Sequence, residues 1–271
     1  MNLRLVISDI DGTLVNKAKQ LTPGTIAAVG RLRATGMPFT LISARPPSGL
    51  YPLAEALGLT EPMAAFNGGL LFKTDGTITE RHLVPEDVVS GMFDLVAGAD
   101  AVPWIFADGV WHAAVLEGLH VDHERIASAQ EPIHTTDMSP LYARVDKLTF
   151  VSDDEPMLRD LTARAQAKFG MQATINQSQT YYLDVTHIRA NKGDGIASLA
   201  AAQDVALENV AVLGDMPNDL PMFARAGIAI AMGQAPAEVR SQARYTTTSN
   251  DEDGVAHAID TILLPMMGKD A

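Results

Sequence analysis

Four carboxylates in this chain sit where their spacing could do chemistry. Asp9 and Asp11 flank Ile10 just after the apolar run Leu3 to Ile7, and Asp215 and Asp219 follow the run Val210 to Leu213, with Asn218 beside the last. Ser43 and Asn67 close two further apolar runs, Phe39 to Ile42 and Met63 to Phe66. Carboxylates brought together repel one another unless a cation neutralises them. A hard divalent ion suits such oxygen donors, and magnesium typically takes one or two carboxylates, waters and a phosphate. The charge balance points the same way: Lys+Arg 20 against Asp+Glu 33 leaves −13, a field that an anionic small molecule overcomes only with a local device such as a metal ion. That field makes nucleic acid and anionic membrane surfaces poor partners. The absence of cysteine excludes disulfides, thiolate metal sites and thiol nucleophiles. A calcium loop fits neither acidic cluster, because its sixth and twelfth positions would be Leu14 and Gln20 in the first and Leu220 and Ala226 in the second.

These side chains need elements to bring them to one place. Leu3 to Ile7 reads as a buried strand. A helix follows, capped by Thr22, opened by Pro23, with Ile26, Val29 and Leu32 on one face and Gly36 at its end. Phe39 to Ile42 reads as a second strand, about Gly49 to Leu57 as a second helix, and Met63 to Phe66 as a third strand, a β-α-β-α-β order that predicts a parallel sheet with right-handed crossovers. The pattern resumes with a helix over Lys192 to Ala202, a strand over Val210 to Leu213, a helix over Leu220 to Ala226 and a strand over Ile228 to Ala231. The two ends of the chain therefore form one sheet, and in parallel sheets sites form beyond the carboxyl ends of strands. Between them the texture changes to helix, hairpin at Asp108-Gly109, strand, helix and two more strands, which predicts an α/β core of residues 1–82 and 188–271 interrupted by an α+β insert of residues 83–187. No signal core and no membrane-length apolar run is read, so a cytoplasmic protein is expected. The acceptor pattern Asn176-Gln177-Ser178 is read as chance.

Taken together, Asp9-Ile10-Asp11-Gly12-Thr13, Ser43, Asn191-Lys192-Gly193 and Gly214-Asp215-Met216-Pro217-Asn218-Asp219 resemble the haloacid dehalogenase superfamily of phosphohydrolases, in its Cof-like branch. The segment Ala226 to Gly233 is similar to that branch as well; the chain departs from it at Ser43-Ala44-Arg45, at Asn191 and at Gln234. The resemblance implies a Rossmann-like parallel sheet core with a C2B-type α+β cap. It further implies a magnesium-dependent phosphatase of a small phosphorylated metabolite, such as a sugar phosphate, working through an aspartyl-phosphate. Asp9 would be the nucleophile and Asp11 the general acid and base. Mg2+ would be held by Asp9, Asp215, the carbonyl of Asp11 and Asp219, while Ser43, Ala44, Arg45, Asn67, Lys192 and Asn218 would bind substrate. A phosphotransferase or phosphomutase, or a non-catalytic receiver-like module, are the alternatives; the general acid Asp11 argues against the last. A monomer or homodimer is expected.

Within the insert, His120, Asp122 and His123 have metal-like spacing but read as solvated surface, and Trp104 and Trp111 read as core. Tyr182, Asp184, His187 and Arg189, just before the return to the core, face either the site or the cap's own structure.

Overall fold

The computed structural model describes residues 2–267; residues 1 and 268–271 at the ends of the expected core lie outside that description. The first half of the core runs β1 (Leu5–Ser8), α1 (Pro23–Ala34), β2 (Phe39–Leu41), α2 (Tyr51–Leu57), β3 (Met63–Ala65), β4 (Leu70–Phe72) and β5 (Ile78–Arg81). The insert follows as α3 (Glu86–Val96), β6 (Val102–Ala107), β7 (Val110–Ala113), α4 (Leu119–Ser128), β8 (Ile133–His134), β9 (Val145–Val151), α5 (Glu155–Phe169), β10 (Ala173–Gln179) and β11 (Tyr182–His187). The chain then returns through α6 (Lys192–Ala201), β12 (Val210–Gly214), α7 (Leu220–Phe223), β13 (Ile228–Ala231), α8 (Ala237–Gln242), β14 (Tyr245–Thr246) and α9 (Gly254–Ala258).

The core sheet has the order β14-β13-β12-β1-β2 and every pairing in it is parallel. Apart from the edge strand β14, its strands are buried along their whole length, as strands covered on both faces by helices must be. Thr22 caps α1 as its sequence demands, its hydroxyl accepting from the Thr25 N–H at 3.1 Å. The expected apolar face of α1 is corrected in one place: Ile26 is 37% exposed, and Thr25 and Ala28 join Val29 and Leu32 in the core instead. The third strand is corrected too. β3 touches the parallel sheet through a single bridge, Ile42 to Ala64, and otherwise starts an antiparallel sheet β3-β4-β5 that leads the chain toward the insert. The helix expected to reach Ala226 ends at Phe223.

The insert forms a six-stranded sheet, β10-β11-β9-β6-β7-β8, antiparallel except where β7 meets β8. α3 and α5 cover one face over Ile105, Leu148, Phe150 and Leu183. The alternate residues Trp104, Phe106, Val151 and Tyr182 share an apolar cluster with core residues including Phe66, so this sheet lies face-on against the core. Trp104 and Trp111 are 2% and 0% exposed with rings 5.0 Å apart, core residues as expected. The two connections between the halves run side by side, with the rings of His82 and His187 stacked at 5.1 Å. Among the described residues no helix is long and apolar enough to cross a membrane.

Candidate active site

The parallel pairing of β1 and β12 sets the first contact. Ser8 lies beside Leu213, so Asp9 and Asp215, each one residue or two past those partners, leave the sheet at the same edge, and the Asp9 N–H donates to the Leu213 carbonyl at 3.0 Å. The Pro217–Asp219 turn folds back so that one Asp219 oxygen accepts from the N–H groups of Asp215 and Met216 at 2.8 and 2.9 Å. Carboxylate oxygens of Asp9, Asp215 and Asp219 then lie within 4.8 Å of one another, all three residues buried. Gly12 makes room for this: its φ is +80°, and a Cβ there would stand 2.8 Å from the Asp215 carboxyl carbon.

Lys192 enters from the start of α6. Asn191 caps that helix by accepting from the Asp194 N–H at 2.9 Å, the task a serine would do there, and fixes the lysine in the first turn. The Lys192 ammonium, 1% exposed, donates to Asp9 at 2.6 Å and to Asp219 at 2.5 Å. Burial pushes the Asp9 carboxyl up to about 8, with the Asp219 and Asp215 charges adding to the effect and Lys192 opposing it. Asp215 is pushed up to about 6, again by burial first and then by Asp219. Burial alone would lower Lys192, but the two carboxylates outweigh it and hold the ammonium charged. An all-oxygen cluster short of positive charge is what a hard divalent cation fits, and the donor spacing allows one ion to span it.

Asp11 points elsewhere. The Arg45 guanidinium grips it with two of its three nitrogens, Nε to Oδ2 at 2.7 Å and Nη2 to Oδ1 at 2.8 Å, and Lys19 joins at 2.5 Å. Burial raises its pKa, yet the hydrogen bonds and charge of Arg45, with Lys19, overcome this and hold the carboxyl well below the usual range. Arg45, expected on substrate, is therefore paired with Asp11 in this arrangement, and Lys19 had no signal in the sequence. Ser43 is buried and its oxygen accepts from the Arg45 N–H at 3.2 Å, which leaves its own proton to donate. Ala44 beside it is half-buried and has no polar side-chain atom. Asn67 sits at φ 58° after Phe66 at φ 50°, a turn held by the Ser43 and Arg45 carbonyls, and its oxygen accepts from Asn218 at 3.5 Å. Two left-handed non-glycine residues in a row cost about 1–3 kcal/mol each and recur at functional sites. Gln234 donates to the Gly12 carbonyl at 2.6 Å and accepts from the Asn250 N–H, tying the loop after β1 to the end of the sheet.

The cap candidates separate. Asp184 lies on the core-facing side of its sheet beside Lys147, while Tyr182 is buried against Trp104. His187 stacks on His82, and Arg189 reaches Glu80 at 3.7 Å, so both sit at the junction and not among the carboxylates. His120 pairs with Asp153 at 2.7 Å and His123 is exposed, an arrangement with no shared metal position.

A family model for haloacid dehalogenase-like hydrolases matches residues 6–259. A protein of Haemophilus influenzae, provisionally named a phosphatase, is 30% identical over 257 residues, covering 94% of this chain and 97% of that protein. A 5-amino-6-(5-phospho-D-ribitylamino)uracil phosphatase of Bacillus subtilis is 26% identical over 260 residues, covering 96% of this chain and 95% of that one. The crystal structure of a haloacid dehalogenase-like hydrolase from Bacteroides thetaiotaomicron superposes with a TM-score of 0.87 at 25% identity, over 96% of this chain and 100% of its own. With motifs, fold and carboxylate cluster in agreement, the chain belongs to the haloacid dehalogenase-like hydrolases, in their Cof-like branch, and is a phosphatase.

Proposed function

We propose that the chain hydrolyses a small sugar phosphate with Mg2+ as its cation, through an aspartyl-phosphate on Asp9. The observation that carries this is the cluster of Asp9, Asp215 and Asp219 with Lys192 wedged into it. Asp9, Asp215, the Asp11 carbonyl and Asp219, the last directly or through water, would hold Mg2+, which when bound neutralises the carboxylates and the phosphate dianion that would otherwise repel each other. Asp9 then attacks phosphorus, and Asp11 gives a proton to the departing oxygen. As arranged, Asp11 is ionised under Arg45 and cannot donate. Phosphoryl oxygens compete for the Arg45 guanidinium, and as it turns to them Asp11 takes up the proton it will pass on. In the second half Asp11 is the base: it takes a proton from the water that attacks phosphorus, and Asp9 leaves as a carboxylate. Ser43 and Lys192 donate to phosphoryl oxygens, and Asn218, placed by Asn67, aligns them. Residues 83–187 act as a cap domain hinged at the His82–His187 stack over a core of residues 1–82 and 188–271.

The sugar-phosphate reading draws support from the Bacillus subtilis relative, whose named substrate carries its phosphate on a ribityl chain. Phosphate release from a panel of sugar, nucleotide and cofactor phosphates tests it. Release with magnesium, lost on chelation and needing no added acceptor, is expected. Transfer to a second hydroxyl without free phosphate would replace hydrolase by phosphotransferase, and a best substrate that is a phosphoprotein would end the small-metabolite reading.

A further inference from the structure

The last turn of α4 is seated on the loop that follows Arg45. A Cβ on Gly49 would stand 3.1 Å from the Arg45 Cδ and would collide with the carbonyl oxygen of Ala127, so the helix sits this close only above a residue without a side chain. Just past the helix, Gln130 Nε2 donates to Ser48 Oγ at 3.0 Å. Glu124 lies one turn back on the same helix, Ser128 Oγ donating to its carbonyl at 2.6 Å. The residue is 8% exposed, and among the described residues no hydrogen bond ends on its carboxylate. Burial pushes the Glu124 carboxyl up to about 7, with Asp184 and Asp11 adding to the effect and Lys147 and Arg45 opposing it. Lys147 meets Asp184 at 3.1 Å, and Asp184 also accepts from Thr149 at 2.7 Å and from Ser178.

Packing does not call for a carboxylate there, since a buried charge without hydrogen bonds costs free energy that an apolar side chain would avoid. Lys147 answers Asp184, Arg45 and Lys19 answer Asp11, and among the described residues no cation bonds the Glu124 carboxylate, on the helix that rests on the Arg45 loop. We propose that Glu124, backed by the Lys147–Asp184 pair, selects the leaving group, accepting hydroxyl or ammonium donors and rejecting a second anionic group. This rests on the phosphatase reading of the same site and adds the charge rule for its substrate: a monophosphate whose remaining part is neutral and hydroxylated, or cationic.

Three substrates of similar size separate the cases: glucose 6-phosphate, glucosamine 6-phosphate with its ammonium, and 6-phosphogluconate with its carboxylate, each compared by kcat/KM with magnesium present and with nitrophenyl phosphate as reference. The wild-type protein should rank 6-phosphogluconate last. Glu124→Gln should raise the ratio of 6-phosphogluconate to glucose 6-phosphate about tenfold or more, the scale of one removed like charge in a partly buried site, and lower the ratio for glucosamine 6-phosphate. Glu124→Asp, which keeps the charge, should hold both ratios near wild type. Because the readout is a ratio within one variant, a loss of folded protein does not imitate it. Unchanged ratios in Glu124→Gln, an equal loss on every substrate, or a wild-type preference for 6-phosphogluconate would overturn the inference while nitrophenyl phosphate turnover leaves the phosphatase reading standing. A wild-type protein that hydrolyses none of the four would bring down both.

Discussion

The two large sheets of this molecule carry their polar groups in different ways. In the parallel core sheet no strand carries a charged residue and the carboxylates sit past the strand ends, where β1 and β12 release Asp9 and Asp215 at one edge. In the antiparallel cap sheet the polar groups lie within the strands. β9 is buried at all seven positions although it contains Asp146, Lys147 and Thr149, because α3 and α5 cover one face and the core meets the other. A strand end concentrates a site into a few consecutive residues, so its geometry survives as long as the sheet register does. A sheet face spreads a site over several strands and a helix, so its geometry depends on how the two halves dock. This is the physical basis of the proposed division of labour, a core that reacts and a cap that selects.

That proposed division breaks most visibly at Asp9, the nucleophile proposed above. Asp9→Asn should fold, since the amide keeps the shape and the carbonyl oxygen, and should lose turnover by about 10⁴-fold or more on every substrate alike. A variant that still releases phosphate at a wild-type rate would move the chemistry out of the core. Asp11→Asn comes next, at about 10²-fold to 10⁴-fold. Its defect should shrink with nitrophenyl phosphate, whose leaving group needs no proton, and equal losses on aryl and alkyl esters would remove Asp11 from the first step. The smallest effect is on stability. Asp9 and Asp215 are raised to about 8 and about 6, so between their unfolded values near 4 and those figures the folded protein binds more protons than the unfolded chain. Cation-free protein should therefore lose stability as pH rises from about 5 to about 8, on the order of 1–3 kcal/mol, and magnesium should flatten that slope by supplying the missing charge. Thermal midpoints with chelator and with magnesium at both pH values measure this. A chelated protein that gains stability toward pH 8, or a magnesium effect equal at both, would argue that the three carboxylates do not share a cation.

The core was legible in the sequence for the same reason. Asp9-Ile10-Asp11-Gly12 and Gly214-Asp215 stand where apolar runs stop, and the alternation of strand and helix already implies that such stops share an edge. What stayed hidden is non-local. Arg45 pairs with Asp11 and Lys19 joins them, contacts chosen by how two loops approach each other and not by any spacing. Glu124 reads as one more acid on a polar helix until α4 is seen seated above Gly49. β3 has three residues, and its pattern is the same whether it continues a parallel sheet or turns into an antiparallel one, so its partner could not be read. His187 and Arg189 were candidates only because they precede Lys192, and proximity in sequence placed them at the junction.

During turnover the core is proposed to hold the phosphoryl group on Asp9. Quenching the reaction in acid while a radiolabelled sugar phosphate is being consumed, then digesting the protein, measures this directly. Label on the peptide that contains Asp9, absent from Asp9→Asn and absent without magnesium, is the predicted result. Steady turnover with no label on the protein, or label confined to another peptide, would contradict the account.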